Sequence, residues 1–285
     1  MKPLSALIIP ETMRAAQCID YGDNVDQILS VQDGIPTPRL GIDEPPAKFR
    51  DPMLIRVLSV ALAPGDSRVM SGKTKELQGP PSFPYTPGGD VCGIVVAIPE
   101  ENDNNNKKEG EKCRFKVGDR IAARFKNKPM GMLGEYALVN MDICDNVPEG
   151  LSAEGAAALV SSGTVAVIIA DAIREGDRVL IFGAGGGVGS HLCQAVRLKG
   201  ASYVAGVGKD PERLKMKPLS CDESVDYTKT HPFNVDAWKD NPFDVVVDLA
   251  GGAWPALLQH SSRKEQSIVK PASKGGRFLT ITPGS

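Results

Sequence analysis

The sequence has little excess charge of either sign, and this absence argues against several kinds of partner. Its 285 residues contain 33 Lys and Arg against 35 Asp and Glu, which gives a formal net charge of −2. Proteins that bind nucleic acid or anionic membrane surfaces usually carry a strong positive charge. We therefore predict that the chain binds neither nucleic acid nor a membrane.

Closely spaced cysteines are also missing. The six cysteines are scattered, and no two of them form a Cys-x-x-Cys motif. In a chain of this length, such cysteines are typical of reduced thiols in an intracellular protein. The apolar patch near the N-terminus is interrupted by Pro3, Pro10 and Glu11, so it does not resemble a secretory signal. We predict a cytoplasmic protein. An organelle is the alternative location, if residues 1–12 are the remnant of a targeting segment.

Long hydrophobic runs are scarce, and one segment alone, residues 152–173, suggests a membrane span. It contains Glu154 and Asp171 and is rich in small residues and in Ser and Thr. A spanning helix needs about twenty predominantly apolar residues. The segment therefore predicts a helix that is buried in a protein core.

The first part of the chain has the pattern of a β domain. Short segments rich in β-branched residues recur, separated by Gly and Pro. The clearest cover residues 53–64, 92–99, 119–125 and 134–140. Many short strands at this spacing predict a barrel-like domain over residues 1–150. Residues 100–112 are polar and of low complexity, which predicts a solvated loop insertion between two strands.

The second part, residues 151–285, alternates helices with strands. A helix is predicted over residues 190–199, and strands over 178–182, 203–207, 224–227, 244–250 and 277–282. The alternation predicts an α/β fold with the doubly wound parallel sheet of a Rossmann-type domain. Such a sheet classically has six strands, and we count five. We therefore expect a C-terminally short domain that lacks the usual last strand or strands.

A glycine-rich turn, GAGGGVG over residues 183–189, lies between the first of these strands and the next helix. Gly186 and Gly189 take the second and third positions of a dinucleotide-binding fingerprint, and Ala184 takes the first. Glycines there turn the chain tightly, let the backbone approach a pyrophosphate and let the helix pack closely. The helix N-terminus also favours phosphate. We predict a dinucleotide site, with His191 as a bystander.

The end of the following strand distinguishes NADH from NADPH. An NAD-specific site carries Asp or Glu there, which binds the ribose 2′-hydroxyl. Here the position is Gly208, which leaves room for a 2′-phosphate, and the cations Lys209 and Arg213 follow. We predict NADPH as the cofactor. NADH stays an alternative cofactor, because Asp210 would bind the ribose 2′-hydroxyl if the strand ended two residues later.

Residues 13–285 resemble the medium-chain dehydrogenase/reductase superfamily, and more narrowly its zinc-independent quinone oxidoreductase (zeta-crystallin-like) branch. Besides the glycine turn, the resembling segments are MRAAQCIDYG (13–22), ALAPGDSRVMSG (61–72), PYTPGGDVCGIVV (84–96), FKVGDRI (115–121), GEYALV (134–139), GTVA (163–166) and DVVVDLAGG (244–252). The resemblance implies a GroES-like β-barrel as the first domain. It also implies a homodimer, although we expect this chain to lack the family's usual dimer element.

The resemblance further implies cofactor contacts in the second domain. Thr164 would lie near the nicotinamide, and Tyr227 near the adenosine phosphate, unless Tyr227 simply ends a strand. Asp248 would be a structural acid. The remaining implied contacts, together with those predicted above, are Gly183, Ala184, Gly186, Gly187, Val188, Gly189, Gly208, Lys209, Arg213, Ala250 and Gly251.

A zinc site is not expected. The zinc-dependent members of the superfamily hold the ion with Cys and His, which suit its tetrahedral coordination. Neither residue type occurs between Leu58 and Gly72, where the first ligand would lie, and Gly89 stands in the place of the second. We predict that the protein binds no metal.

Two departures from the family pattern concern the substrate site. Ala63 stands where the family has an asparagine, and Arg68 where it has a tyrosine. Asp66, Ser67 and Tyr85 are possible proton donors. None of the three has a partner that can be identified from the sequence, so the catalytic acid stays unassigned.

We expect an NADPH-dependent, zinc-independent oxidoreductase that transfers hydride to a quinone or an α,β-unsaturated carbonyl. Ala63 and the short C-terminus motivate an alternative, a non-catalytic NADPH-binding or interaction protein on the same fold. A zinc alcohol dehydrogenase is a third hypothesis, and the ligand positions argue against it.

Overall fold

The computed structural model describes residues 8–41, 52–80, 82–99, 114–125, 131–251 and 267–281. The predicted loop insertion at residues 100–112 lies outside these ranges. The chain forms two compact units, Met1–Ser161 and Ser162–Ser285.

A hairpin that the sequence analysis did not predict opens the first unit. Strands β1 (Thr12–Cys18) and β2 (Leu29–Pro36) pair antiparallel, with the short helix α1 (Val25–Ile28) between them. Buried and exposed residues alternate along β1, so Met13 and Ala15 reach a small core. Strand β2 is mostly exposed, which explains why its sequence lacks the apolar signal of a strand.

The other strands that the structure describes in this unit form one antiparallel sheet. They are β3 (Pro52–Ala61), β4 (Asp90–Ala97), β5 (Arg120–Arg124), β6 (Tyr136–Asn140) and β7 (Cys144–Asn146). Their spatial order is β6-β3-β4-β5-β7. Helices α2 (Pro64–Met70) and α3 (Lys75–Gln78) connect β3 to β4. Four of these strands, β3 to β6, lie close to the four segments that the sequence analysis predicted as strands.

Helix α4 (Ala153–Ala170) contains most of the apolar run that the sequence analysis predicted to be buried. By length and composition it could cross a membrane, and core helices meet the same test. Ala156 and Ala157 pack in a hydrophobic core, and so do Ala166, Ile169 and Ala170. A third of its apolar window is buried, and Leu159, Val167 and Ile168 are exposed, so the prediction of a buried core helix holds for only part of α4.

The second unit contains the predicted parallel sheet. Its strands are β8 (Arg178–Phe182), β9 (Tyr203–Gly208), β10 (Glu223–Asp226), β11 (Val245–Asp248) and β12 (Arg277–Thr280). Every pair of neighbours is parallel, in the order β10-β9-β8-β11-β12. Within the described residues of this unit, the α-helices beyond α4 are α5 (Gly187–Leu198), α6 (Pro211–Lys215) and α7 (Asp236–Asp240).

Both faces of this sheet are covered, as its continuous apolar strands require. Successive side chains of a strand point to opposite faces. Val179 and Ile181 of β8 accordingly belong to one core with α4 and α5, whereas Leu180 and Phe182 belong to another with Trp238.

The strand order reverses beside β8, and open α/β sheets form their ligand crevice at the carboxyl ends of the strands at such a position. Strand β9 follows β8 on one side, and β11 lies on its other side. The glycine turn begins at this point, directly after Phe182.

Candidate functional site

The glycine turn is fixed to the sheet by its backbone. The amide N–H groups of Gly183 and Ala184 both donate to the carbonyl oxygen of Val207 on β9, at 3.0 and 3.1 Å. Gly183 has a φ of 77°, a left-handed conformation that favours glycine. These contacts turn the chain sharply at the carboxyl end of β8.

Gly189 occupies a position where a side chain has no space. A Cβ atom there would lie 2.2 Å from the carbonyl oxygen of Gly183 and 2.7 Å from the Cα of Ala184. Helix α5 therefore packs directly against the turn. This is the close approach that the third glycine of a dinucleotide fingerprint provides.

The turn leaves the N-terminus of α5 open. Gly186 is the N-cap residue and makes no side-chain capping hydrogen bond, and both Gly186 and Gly187 are exposed. The first amide groups of a helix have no partner within the helix, and the helix dipole makes this end favourable for anions. Val188 is half-buried beside them. The arrangement can accept a pyrophosphate through backbone N–H groups.

Helix α4 approaches the start of α5 at one residue that the sequence analysis missed. A Cβ atom at Gly187 would lie 3.1 Å from the Oγ of Ser162, so a side chain at this position would crowd the hydroxyl group. Thr164, two residues further along α4, is exposed. No local signal distinguishes Ser162, because its proximity to Gly187 arises from the packing of two helices.

The end of β9 carries the residues predicted to distinguish NADPH from NADH. Gly208 is buried, and a Cβ atom there would lie 3.9 Å from the amide nitrogen of Gly185 in the turn. Lys209 and Arg213 are both exposed. Asp210 is the N-cap of α6, and its Oδ1 accepts a hydrogen bond from the backbone N–H of Arg213 at 3.1 Å. The carboxylate of Asp210 therefore caps the N-terminus of α6.

Tyr227 lies at the same edge of the sheet. Strand β10 pairs with β9 so that Asp226 is opposite Gly208. Tyr227 follows Asp226 directly, and 56% of it is exposed. The register therefore places the residue after β10 beside the residue after β9, Lys209.

Asp248 organises the opposite side of the crevice. Only 1% exposed, it accepts hydrogen bonds at its Oδ1 from the backbone N–H groups of Ala250 and Gly251, at 3.0 and 2.8 Å. A Cβ atom at Gly183 would lie 3.6 Å from the amide nitrogen of Ala250, so the two turns are neighbours. Asp248 thus fixes the backbone that the family resemblance places against a cofactor.

In the first unit, Asp66 and Asp90 are buried carboxyl groups. Burial raises the pKa of Asp66, a hydrogen bond of 2.7 Å from the backbone N–H of Ala63 lowers it, and Asp90 raises it again. Burial also raises the pKa of Asp90, while a 2.7 Å hydrogen bond from Ser161 Oγ and the charge of Arg124 oppose the increase. Both groups retain a proton more readily than an exposed aspartate does.

The other candidate proton donors differ in accessibility. Ser67 is exposed, and its Oγ donates to the carbonyl oxygen of Pro64 at 3.2 Å. Tyr85 is buried next to Cys18, and burial is the largest cause that raises the pKa of its hydroxyl. Arg68, the position of a family tyrosine, is exposed. None of these contacts identifies a proton donor.

The candidate metal ligands that the structure describes do not come together. Within the described ranges, no group of three or more His, Cys, Asp or Glu side chains could hold an ion. Gly89, at the position of a family zinc ligand, has no coordinating side chain, and residues 58–72 contain neither Cys nor His. Ala63, within that segment, is the N-cap of α2.

A family model matches part of the chain. Residues 50–149 match the family described as alcohol dehydrogenase GroES-like domain. With the parallel sheet of the second unit, this match confirms the predicted fold class, a GroES-like domain followed by a Rossmann-type sheet.

Curated relatives match along almost the whole chain. The 2-methylene-furan-3-one reductase of Solanum lycopersicum is 29% identical over 283 residues, which cover 98% of this chain and 64% of that protein. The chloroplastic NADPH-dependent alkenal/one oxidoreductase of Arabidopsis thaliana is 29% identical over 277 residues, covering 96% and 64%. The chain thus spans 64% of the length of each of these relatives.

A solved structure extends the likeness to the fold. The quinone oxidoreductase from Thermus thermophilus, whose complex with NADPH is also known, is 25% identical to this chain with a TM-score of 0.65. The superposition covers 96% of this chain and 75% of that one.

Proposed function

We propose that the chain is a member of the medium-chain dehydrogenase/reductase superfamily and that it is an NADPH-dependent, zinc-independent reductase. Its acceptor is a quinone or an α,β-unsaturated carbonyl compound. The observation that carries the proposal is the turn at residues 183–189, where Gly189 has no space for a side chain and α5 presents its N-terminus. The names of the relatives support the class of acceptor.

The residues of the turn fit a pyrophosphate. A Cβ atom at Gly189 would fill the contact between turn and helix, and the exposed Gly186 and Gly187 leave the backbone accessible. In this proposal the amides of Gly187 and Val188 bind the phosphate oxygens. Ala250 and Gly251, held by Asp248, form the opposite wall.

NADPH is preferred to NADH because of the residues after β9. Gly208 offers no carboxylate to a ribose 2′-hydroxyl, and the cations Lys209 and Arg213 favour a 2′-phosphate. Asp210, the residue that would support NADH, accepts the hydrogen bond that caps α6. Tyr227 is at the same edge and belongs to this part of the site.

The reaction requires little direct participation of the protein's side chains. When bound, the nicotinamide supplies the hydride, and the protein contributes binding, orientation and exclusion of water. Thr164 is proposed to contact the nicotinamide. A proton from solvent completes the reduction, because Asp66 and Tyr85 are buried and Ser67 donates to a backbone carbonyl.

Zinc independence rests on the residues at the ligand positions. Residues 58–72 contain neither Cys nor His, and Gly89 has no side chain that could bind an ion. Cys and His are the residues with which zinc-dependent members hold the metal. Metal analysis of the purified protein tests this directly. Stoichiometric zinc that survives dialysis against a chelator would overturn this part of the proposal.

The location proposed for this reductase is the cytoplasm or the interior of an organelle. The five cysteines that the structure describes are all buried free thiols, and the Arabidopsis relative is named chloroplastic. Imaging of a fluorescent fusion tests the assignment, and secretion of the fusion protein would contradict it.

An acceptor screen tests the activity. Oxidation of NADPH is followed at its absorbance maximum with a panel of quinones and a panel of alkenals and enones. The proposal expects acceptor-dependent oxidation with at least one panel, unchanged by a chelator. If NADPH binds but no acceptor supports its oxidation, the non-catalytic alternative replaces the proposal.

A further inference from the structure

Two buried cysteines lie next to each other behind the glycine turn. Among the five cysteines that the structure describes, Cys193 and Cys221 have sulfur atoms 3.7 Å apart. Cys193 is on α5, and Cys221 lies between α6 and β10, 28 residues further along the chain. The sequence analysis treated both as incidental thiols, because nothing in their spacing predicts the contact.

Arg197 holds the two segments together on both sides of Cys221. Its Nη2 donates to the carbonyl oxygen of Ser220 at 3.3 Å and to the carboxylate of Asp222. The backbone N–H of Cys221 donates to the carbonyl oxygen of Leu214 at 2.9 Å. The segment therefore has little freedom to move away from α5, and the two sulfur atoms stay close.

We propose that Cys193 and Cys221 are a redox-active dithiol that a hydroperoxide converts reversibly into a disulfide. The Cys221 thiol loses its proton to solvent, and its thiolate attacks the peroxide. An S–O bond forms as the O–O bond breaks, and the leaving alkoxide (hydroxide, from hydrogen peroxide) takes a proton from solvent to give an alcohol (or water). The Cys193 thiol then attacks the resulting sulfenic acid, and the S–S bond forms as water leaves. The two thiols are oxidised by two electrons, and the peroxide is reduced by two.

The geometry requires only a small movement. A disulfide has an S–S distance of about 2.05 Å, so the sulfur atoms must approach from their present 3.7 Å.

The electrostatics favour Cys221 as the attacking sulfur. The hydrogen bond with Cys193 lowers the pKa of Cys221, and burial opposes this effect. The positive charge of Arg197 lowers the pKa further, and the negative charge of Asp222 raises it by a smaller amount. The same hydrogen bond raises the pKa of Cys193, so Cys193 keeps its proton until the second step.

The two cysteines differ in burial. Residues 215–218, just before Cys221 in the chain, are exposed, whereas Cys193 is fully buried. Cys221 itself is 5% exposed. A small peroxide therefore reaches Cys221 before Cys193, so Cys221 is oxidised first and Cys193 then forms the disulfide.

The test is a peptide map of the intact protein after treatment with hydrogen peroxide. Remaining thiols are alkylated under denaturing conditions, and the protein is digested with trypsin without reduction. The expected product joins peptide 179–197, which contains Cys193, to peptide 216–229, which contains Cys221. Reduction with dithiothreitol before alkylation must return both peptides.

Met216 is an internal measure of exposure to the oxidant. It lies in the same peptide as Cys221 and is 66% exposed. If Met216 is fully oxidised while Cys193 and Cys221 are both recovered as alkylated thiols, the proposal is overturned. Linkage of Cys221 to any other cysteine overturns it as well.

Variants provide a matched control. Cys221→Ala must abolish the linked peptide, whereas Cys92→Ala, which alters a buried cysteine of the other unit, must leave its yield unchanged. Because the map of the unaltered protein identifies the linkage by itself, the proposal stays testable even where a variant folds poorly. None of these readouts depends on cofactor binding or activity, so the result is independent of the proposed function.

Discussion

A Cβ atom at residue 189 would lie 2.2 Å from the carbonyl oxygen of Gly183, closer than any van der Waals contact allows. The same atom would lie 2.7 Å from the Cα of Ala184 and 2.8 Å from its carbonyl carbon. All three neighbours are backbone atoms, which no change of rotamer can remove. At this position, glycine is required by the packing of α5 on the turn.

Gly189→Ala should therefore destabilise the second unit. The backbone must shift to admit the methyl group, and such overpacking costs about 3 kcal/mol of the free energy of unfolding. Urea denaturation measures the loss. Gly185→Ala is the matched control, because its nearest neighbour would be Leu214 Cδ2 at an ordinary 3.7 Å. Equal stability of the two variants would contradict this account of the turn.

Lys209→Ala should weaken the binding of NADPH and leave that of NADH nearly unchanged. A charge-assisted contact to a 2′-phosphate contributes more than about 1 kcal/mol, so the Kd for NADPH should rise about tenfold. Calorimetric titration with each cofactor measures both constants. Lys215→Ala removes the same charge from exposed helix α6 and serves as the control. A parallel loss of affinity for both cofactors would contradict a contact with the 2′-phosphate.

Asp66→Asn should change how stability depends on pH. Burial raises the pKa of Asp66 above its ordinary value of 3.8, so the folded protein holds this proton to higher pH than the unfolded chain does. The contribution of Asp66 is full below about pH 3.8 and is lost as the pH rises through the folded-state pKa. Asparagine cannot ionise, so the variant should gain stability over the wild type from acidic to neutral pH.

Urea denaturation at several pH values between 4 and 8, roughly the range over which carboxyl groups with raised pKa titrate, measures that difference. The exposed Asp33→Asn variant is the control for a changed net charge. A difference between Asp66→Asn and wild type that does not grow with pH would show that the carboxyl group ionises equally in both states.

At the scale of elements, the outer strand β12 is tied to the rest of its unit by Arg277. Its Nη2 donates to both carboxylate oxygens of Asp177 at 2.6 Å, and its Nη1 to the carbonyl oxygen of Ala172 at 2.5 Å. The side chains of Arg277 and Asp177 are 20% and 8% exposed. One arginine thus joins β12 to the segment between α4 and β8.

Arg277→Ala should lower the free energy of unfolding by about 3 kcal/mol, because it leaves the buried carboxylate of Asp177 without its ion-pair partner. The ion pair of Lys199 with Asp171 is more exposed, at 45% and 63%. Lys199→Ala should therefore cost less than about 1 kcal/mol. If both substitutions had the same effect on urea denaturation, burial would not explain the strength of the Arg277 pair.

The elements differ in how well the sequence predicts them. Strands β8 and β11 were predicted because they are apolar on both faces, and both are fully covered in the structure. The hairpin of β1 and β2 was missed because β2 is exposed along most of its length, so the polar residues between Leu29 and Pro36 give no periodic signal.

At the scale of the whole molecule, the α/β organisation with a parallel second sheet followed from the change of pattern after residue 150. The glycine turn was also predictable, because its seven residues are consecutive. Contacts between distant segments were not. Ser162 against Gly187 and Cys193 against Cys221 depend on how helices and loops pack, which no local pattern encodes.

The central claim is that the turn at residues 183–189 binds NADPH, and the most direct test is calorimetric titration of the purified protein with NADPH and, separately, NADH. The account predicts that NADPH binds at least about tenfold more tightly, a difference of about 1.4 kcal/mol. Equal or tighter binding of NADH would contradict the roles given to Gly208 and Lys209. If neither cofactor binds, the turn is only a structural connection between β8 and α5, and the claim is wrong.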